Sequence, residues 1–523
     1  MTRRPARGWL ICLVWGSAVL CSIGLGRPSL WIDETHSYEF ASLPSLPLVL
    51  LNAAARDAYP PLYFLLLHCW MWLGSSEVWL RAFSVAAHLA SIPMMYLVAT
   101  RLLSRREGVI AAALLAVSPF HLAFAREVRM YPLVCLLALV SVWGMLAWVQ
   151  DGSRRGWRVF VAAGLALVWT HYIGALLLVA EGCILLWGGR RRRDLRAGML
   201  RWIGITAVGF LPWSPFFLKS LVTTRGYGAE APVAKLAYWF LSAVGSGFGQ
   251  TEFVLSLSAL VILVLALRGF LACPAGPARR TLGWWAGLPV GLELLSAALG
   301  KPVFGERTLI LATPAWLILI AAALWRAAAW ERLAAAVLAG GLTVQSHVRL
   351  FTHGLPEAPS SREALAAVLA QARPGDAIVH SSTITYHPVH EYYLPRSGAK
   401  IEDFLVEPQG EFRGGRLGDA FREAWRRMKG RLDPAGAVRT GQDPNRLSEE
   451  DFFKLGSRRV WYLRTDLEGA RRLWYLIPSV YYPAPADKVR DIPFDSHPRL
   501  ARVFRGERVA CFPGLLVELY RRR

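Results

Sequence analysis

The sequence predicts a polytopic α-helical membrane protein with about eleven spans and a C-terminal extracytoplasmic α/β domain. Composition is the first reason: of 523 residues, 54% are hydrophobic and 18% charged, with 22 Trp. Apolar runs come second. A bilayer core about 30 Å thick needs roughly 20 apolar residues per helix, and such runs recur until about residue 348. Third, from His347 onward charged residues, Pro and Gly interrupt every apolar stretch. These features place a membrane domain at 1–349 and a water-soluble domain at 350–523.

The net charge of +22 follows from topology. Arginines cluster between apolar runs: Arg3, Arg4 and Arg7; Arg101, Arg105 and Arg106; Arg154, Arg155 and Arg158; Arg190 to Arg193 with Arg196; Arg279 and Arg280; Arg326 and Arg332. Cytoplasmic loops carry such clusters under the positive-inside rule, and they meet anionic headgroups, so the basic balance calls for no nucleic acid. The seven cysteines show neither a disulfide framework nor a zinc spacing.

With the Arg clusters inside, spans fall near 9–27, 78–100, 108–125, 131–150, 158–172, 173–188, 200–220, 251–270, 282–299, 307–325 and 332–348, with a short apolar run at 60–73. The first run reads as an uncleaved helix, because no small-residue cleavage site precedes Trp31. The C-terminus then lies outside, in a multi-pass protein of the bacterial inner membrane, and the external loops are about 28–77, 126–130, 171–174, 221–250 and 300–306. In the tail, Ser360 with Glu363 forms a capping box, and Asp376 to His380 reads as a buried strand. Further helices are expected near 416–429, 448–455 and 466–477, and strands near 458–464, 500–505 and 514–520; 407–447 reads as loop.

Chemistry is expected in the external loops. Asp33 and Glu34 follow the first span; two acids at the mouth of an apolar helix are costly unless used, and a carboxylate there can take a proton from a hydroxyl. An interfacial turn facing water is the simpler reading. Asp57 precedes Tyr59-Pro60-Pro61-Leu62-Tyr63, where the prolines fix an extended entry; an ordinary helix start explains it equally well. Arg126, Glu127, Arg129 and Tyr131 sit between two spans with almost no loop. An Arg at that depth can neutralise a lipid-linked phosphate, with Glu127 holding it, although snorkelling arginines are common. Arg307, after Phe304-Gly305-Glu306, offers a second cation. His171 and Tyr172 can supply hydrogen bonds or sugar stacking, or simply pack. Gly245, Gly247 and Gly249 follow no strand and lie in a membrane loop, which argues against a nucleotide site. His380, His387 and His390 lack a recognised metal spacing and read as a surface helix.

In order along the chain these motifs resemble the bacterial family-39-like glycosyltransferases of the GT-C superfamily, which include relatives of the protein O-mannosyltransferases and the lipid A aminoarabinose transferase. The resemblance covers roughly residues 1–350. It implies that the fold is of GT-C type, that Asp33, beside Glu34, is the catalytic carboxylate, and that Arg129 and Arg307 hold the phosphate of a polyprenyl-phosphate donor. Asp57, Tyr63, Glu127, Tyr131, His171 and Tyr172 would line the substrate. Tyr59 stands where many relatives carry His, and Glu306-Arg307-Thr308 where an Arg-Tyr pair is frequent.

The expected activity is an inverting transfer from a polyprenyl-phosphate-linked sugar to a glycan, protein or lipid hydroxyl at the outer membrane face. No cofactor is required, no metal ligands are assigned, and no pattern indicates a divalent cation. A transporter or flippase that binds lipid phosphate without chemistry predicts polar residues through the middle of the spans. Here the ionisable groups gather at one face. A non-catalytic envelope scaffold gives no reason for acids and arginines to share that face.

Overall fold

The structure, a computed structural model, describes residues 6–55, 59–188, 192–223, 233–247, 251–299, 306–353, 360–380, 383–405, 472–478, 504–512 and 515–522. The chain divides into two compact units, Met1–Leu25 with Phe40–Leu355, and Gly26–Glu39 with Pro356–Arg523. Residues 26–39, which the sequence boundary assigns to the membrane domain, thus cluster with the C-terminal residues.

The first unit is a bundle of apolar helices. Glu77–Leu102, Tyr131–Asp151 and Glu252–Ala272 are, among the described residues, long and apolar enough to cross a membrane. Helices also cover the other expected spans, such as Ala6–Ser22, Arg154–Thr170, Gly174–Gly188, Arg193–Phe210 and Thr313–Arg326, but are shorter or more charged. The run at 60–73 forms Leu62–Met71, which starts after Pro61.

Two expectations change here. The span expected at 108–125 is broken into Arg105–Val117 and Pro119–Ala125, bent by 53°. Pro119 has no N–H to continue the ladder and forces Ser118 out of the α region, with ψ at 119°. Ser118 then caps the new helix by accepting from the His121 N–H at 3.4 Å. The region 221–250, expected as an external loop, contains the helix Val233–Ser246, with Phe240, Ala243 and Val244 buried. It is apolar but too short to register as a span.

Close packing depends on small residues. Tyr131–Asp151 ends at Gly152, whose φ of +66° suits glycine, and Ser153 caps the helix that returns, Arg154–Thr170. A Cβ on Gly144 would meet the Phe160 backbone nitrogen at 2.7 Å, and one on Gly156 would meet the Trp148 nitrogen at 2.9 Å. The two helices therefore approach backbone to backbone. Polar pairs add directional links: buried Ser141 Oγ donates to Glu181 (2.7 Å), buried Thr308 Oγ1 to Glu293 (2.6 Å), and the exposed Arg326 reaches the buried Glu107 (2.9 Å).

The second unit is built on a five-stranded sheet in the order β2-β1-β3-β5-β4, with β1 Asp376–His380, β2 Glu402–Leu405, β3 Arg472–Pro478, β4 Phe504–Phe512 and β5 Leu515–Arg522. β1 runs parallel to β2 and β3, and β5 antiparallel to β3 and β4. Asp376 locks β1 to β3: Arg472 donates to it at 2.7 Å and the buried Trp474 Nε1 at 3.0 Å. Burial alone would raise the Asp376 carboxyl, but these donors outweigh it and hold the pKa below the ordinary range.

The helix expected over 466–477 is a strand from Arg472 onward. Its aromatic and branched residues pair with both β1 and β5, a tertiary preference that outweighs local propensity. The strand expected at 500–505 is described from Phe504 and continues to Phe512, and that at 514–520 becomes Leu515–Arg522. The elements expected at 416–429, 448–455 and 458–464 lie outside the described residues. Ser361–Leu369 is helical, but Ser360 makes no side-chain cap. Glu363 instead accepts from Ser29 Oγ at 2.8 Å.

The Gly144–Gly156 contact makes a direct prediction. Gly144→Val inserts a branched side chain where backbone already sits, so stability in detergent should fall by about 1–3 kcal/mol, seen as a lower melting temperature. Gly182→Val, where an added Cβ meets no atom within 4 Å, should change it little.

Candidate functional site

Two groups of candidate residues occur, one in each unit. In the first unit, residues 126–130 form a tight buried turn between Pro119–Ala125 and Tyr131–Asp151. The Arg129 N–H donates to the Glu127 carbonyl at 2.9 Å, and Ser84 Oγ donates to the Arg129 carbonyl at 3.0 Å. Arg126, Glu127 and Arg129 are 9%, 3% and 4% exposed.

The two arginines differ in use. Arg126 Nη1 donates to the carbonyls of Ile23 and Cys21, the latter at 3.0 Å, and its guanidinium lies over the Phe351 ring. Arg81, 2% exposed, donates to Leu25 O at 2.7 Å. Both satisfy carbonyls at or just beyond the end of Ala6–Ser22, which is a structural role. Arg129 lies over two aromatic faces, 5.2 Å from the Tyr59 centroid and 5.6 Å from that of Tyr131. His171 completes the group, with its ring 4.7 Å from Tyr59 and 6.0 Å from Tyr131.

His171 follows the Arg154–Thr170 helix, and its Nδ1 accepts from the Ile173 N–H at 3.2 Å. An imidazole that accepts at Nδ1 carries its proton at Nε2 when neutral. That Nε2 is buried and meets no hydrogen-bond partner among the described residues. The group therefore combines a fixed cation, two aromatic faces and one N–H donor, a set suited to an anionic group attached to a ring-shaped ligand.

The remaining first-unit candidates are placed as follows. Tyr63 is fully buried against Phe64 and Phe83. The Tyr172 hydroxyl accepts from Trp213 Nε1 at 3.1 Å, and its ring packs on Phe217. Arg307 is half-buried in the turn Glu306–Leu311, which packs against the helix beginning at Tyr131. Asp57 lies outside the described residues.

The second unit contains the acids. Asp33 and Glu34 occupy the first turn of Ile32–Ala41, where the helix dipole favours negative charge. The Trp31 N–H donates to Glu34 Oε2 at 3.3 Å, and Ser37 Oγ to the Asp33 carbonyl at 3.0 Å. Glu34 is 1% exposed, whereas Asp33 is half-buried. Glu34 thus closes the helix start, and Asp33 is the more accessible carboxylate. C-terminal residues hold this segment: Leu30 N–H donates to the Tyr393 hydroxyl (2.6 Å), Arg362 to Gly26 O (3.1 Å), and Arg396 to the Tyr38 hydroxyl (3.2 Å).

Sequence reasoning missed Arg81 and Asp403. Asp403 accepts from His390 Nδ1 at 2.9 Å and lies 3.7 Å from His380 Nε2. Burial would raise this acid, but the two histidines outweigh it and draw the pKa down to about 2. His390 is likewise lowered by burial and raised by a larger amount through Asp403, ending above the ordinary imidazole value. An acid in a four-residue strand carries no local signal of such a partner.

The apolar helical bundle defines the chain as a polytopic helical membrane protein, and its fold is shared with proteins of known structure. Its segment 58–218 matches the family of dolichyl-phosphate-mannose-protein mannosyltransferases. In three dimensions the chain is similar to ArnT from Cupriavidus metallidurans in the apo state, with 14% identity, 98% of each chain covered and a TM-score of 0.61. It is also similar to the same protein bound to undecaprenyl phosphate, with 16% identity, 98% of each chain covered and a TM-score of 0.59. The oligosaccharyltransferase of Archaeoglobus fulgidus, in complex with Zn and sulfate, matches at 12% identity over 78% of this chain and 62% of that one, with a TM-score of 0.50. Comparison with curated proteins by sequence finds no match.

The structural role of Arg126 can be tested directly. Arg126→Gln leaves the Cys21 and Ile23 carbonyls without their donor and should cost about 1–3 kcal/mol of stability, read as a lower melting temperature in detergent.

Proposed function

We propose that the chain is a glycosyltransferase that moves a sugar from a polyprenyl-phosphate carrier to an acceptor hydroxyl at the outer face of the bacterial inner membrane. The buried group of Arg129, Tyr59, Tyr131 and His171 carries this reading. It sits in a fold shared with a protein whose structure was determined with undecaprenyl phosphate bound. In this reading the second unit is extracytoplasmic and the Arg-rich loops are cytoplasmic.

The reaction is one displacement. Asp33 takes the proton of the acceptor hydroxyl, the acceptor oxygen attacks the anomeric carbon from the face opposite the phosphate, and the bond from that carbon to the phosphate oxygen breaks. The configuration inverts, and polyprenyl phosphate leaves with the bonding pair. Arg129 and Arg307 meet the charge on the departing phosphate, His171 Nε2–H donates to the same oxygens or to the sugar, and the tyrosine rings face the sugar. Fixed donors aimed at developing charge are usually the largest single contribution to such a rate. No nucleotide is needed, because the activated bond arrives with the lipid.

A transport reading shares the phosphate cradle but needs no base. The discriminating measurement is transfer itself: purified protein with polyprenyl-phosphate sugars and envelope acceptors, products read by mass spectrometry. Asp33→Asn should lower transfer by about 10²–10⁴-fold with unchanged expression, and Arg129→Gln by about 10²–10³-fold. Near-normal transfer in Asp33→Asn would remove its assignment as base.

A further inference from the structure

Among the described residues, and apart from the candidates above, one set of side chains in the second unit brings metal-type donors together. His36 and Glu39 are three residues apart on Ile32–Ala41 and so share a helix face. His387 ends the short helix Thr383–His387. The ligand-type atoms of these three residues all lie within 4.8 Å of one another. The imidazoles of His36 and His387 meet edge to face with centroids 4.5 Å apart. Glu39 is 6% exposed, and both imidazoles are half-buried, which leaves a route for an ion from solvent.

We infer that His36, Glu39 and His387 form a binding site for one divalent transition metal of the zinc class, which clamps the helix bearing Asp33 and Glu34 to the helical turn at His387. Two imidazole nitrogens and one carboxylate oxygen are a zinc donor set, with a fourth position for water. Magnesium and calcium prefer all-oxygen sites. Tetrahedral coordination with bonds of about 2.0–2.1 Å puts donors about 3.4 Å apart, so closure asks only for side-chain rotation of about 1 Å. The neighbouring histidines do not compete, because His390 is engaged by Asp403 at 2.9 Å and stacks on Tyr386. The histidine spacing at 387 and 390 hid the site, since two of its donors come from residues 36 and 39.

The metal is a positioning element: it fixes the orientation of a helix whose first turn carries Asp33, and it takes no part in bond making. The full-length chain, purified in detergent through a histidine-free affinity tag, is loaded with ZnCl2, dialysed against metal-free buffer and analysed by inductively coupled plasma mass spectrometry. The expected content is about one zinc per chain, falling below about one fifth of that in Glu39→Gln and in His387→Phe. The phenylalanine keeps a ring against His36 while removing the donor nitrogens, so it tests ligation with the ring contact retained. Zinc should raise the melting temperature of the wild type and leave that of His387→Phe unmoved. Wild-type protein holding no zinc after loading, or variants holding as much as wild type, would overturn the site. Should His387→Phe not fold, the near-isosteric Glu39→Gln gives the same readout. Zinc content is read without a transfer assay, so its failure would leave the glycosyltransferase reading intact.

Discussion

A guanidinium buried in an apolar helical bundle must be met by oxygen atoms or by ring faces, and this requirement organises the first unit. Arg81 and Arg126 meet it through the carbonyls of Leu25, Cys21 and Ile23, which themselves need donors where the Ala6–Ser22 helix ends. Two costly sets of groups thereby satisfy each other. Arg129 meets it through Tyr59 and Tyr131. An aromatic face attracts the charge as a whole without prescribing a direction for each N–H.

The same logic explains why the cluster around Arg129 draws on separate parts of the chain. Tyr59 comes from the segment before the Leu62–Met71 helix, Arg129 and Tyr131 from the turn after Pro119–Ala125, and His171 from the cap of Arg154–Thr170. Each lies at a helix end, where backbone leaves its regular ladder and side chains can converge. The packed glycines bring two of those helices together: Gly144 and Gly156 set the close approach of Tyr131–Asp151 and Arg154–Thr170 beside the turn at Gly152.

Much of this was legible from residues alone, for identifiable reasons. Long uninterrupted hydropathy announced Glu77–Leu102, Tyr131–Asp151 and Glu252–Ala272, and compact charge at 126–129 between two such runs marked a turn held at depth. The break at Ser118–Pro119 was hidden because the apolar texture continues through it. The Val233–Ser246 helix was hidden by its length, and the Arg472–Pro478 strand because its identity depends on partners at 376–380 and 515–522. Arg129, Tyr131 and His171, which the structure brings together, were singled out by the local density of polar residues near span ends. Arg81 and Asp403 were not, since each stands alone in sequence and gains meaning only from atoms far along the chain.

The second unit unites Gly26–Glu39 with residues beyond Pro356, and its central strand β3 pairs with Leu515–Arg522. Closing so long a loop carries an entropic cost that grows only slowly with length, so the arrangement is thermodynamically acceptable. Its effect on timing is larger. During synthesis the helix bearing Asp33 and Glu34 leaves the ribosome first, but Arg362, Tyr393 and Arg396, which hold that segment, arrive more than three hundred residues later. A nascent chain therefore carries its acidic helix in an unfinished setting throughout membrane insertion, and only a chain translated past these residues can fix it in place.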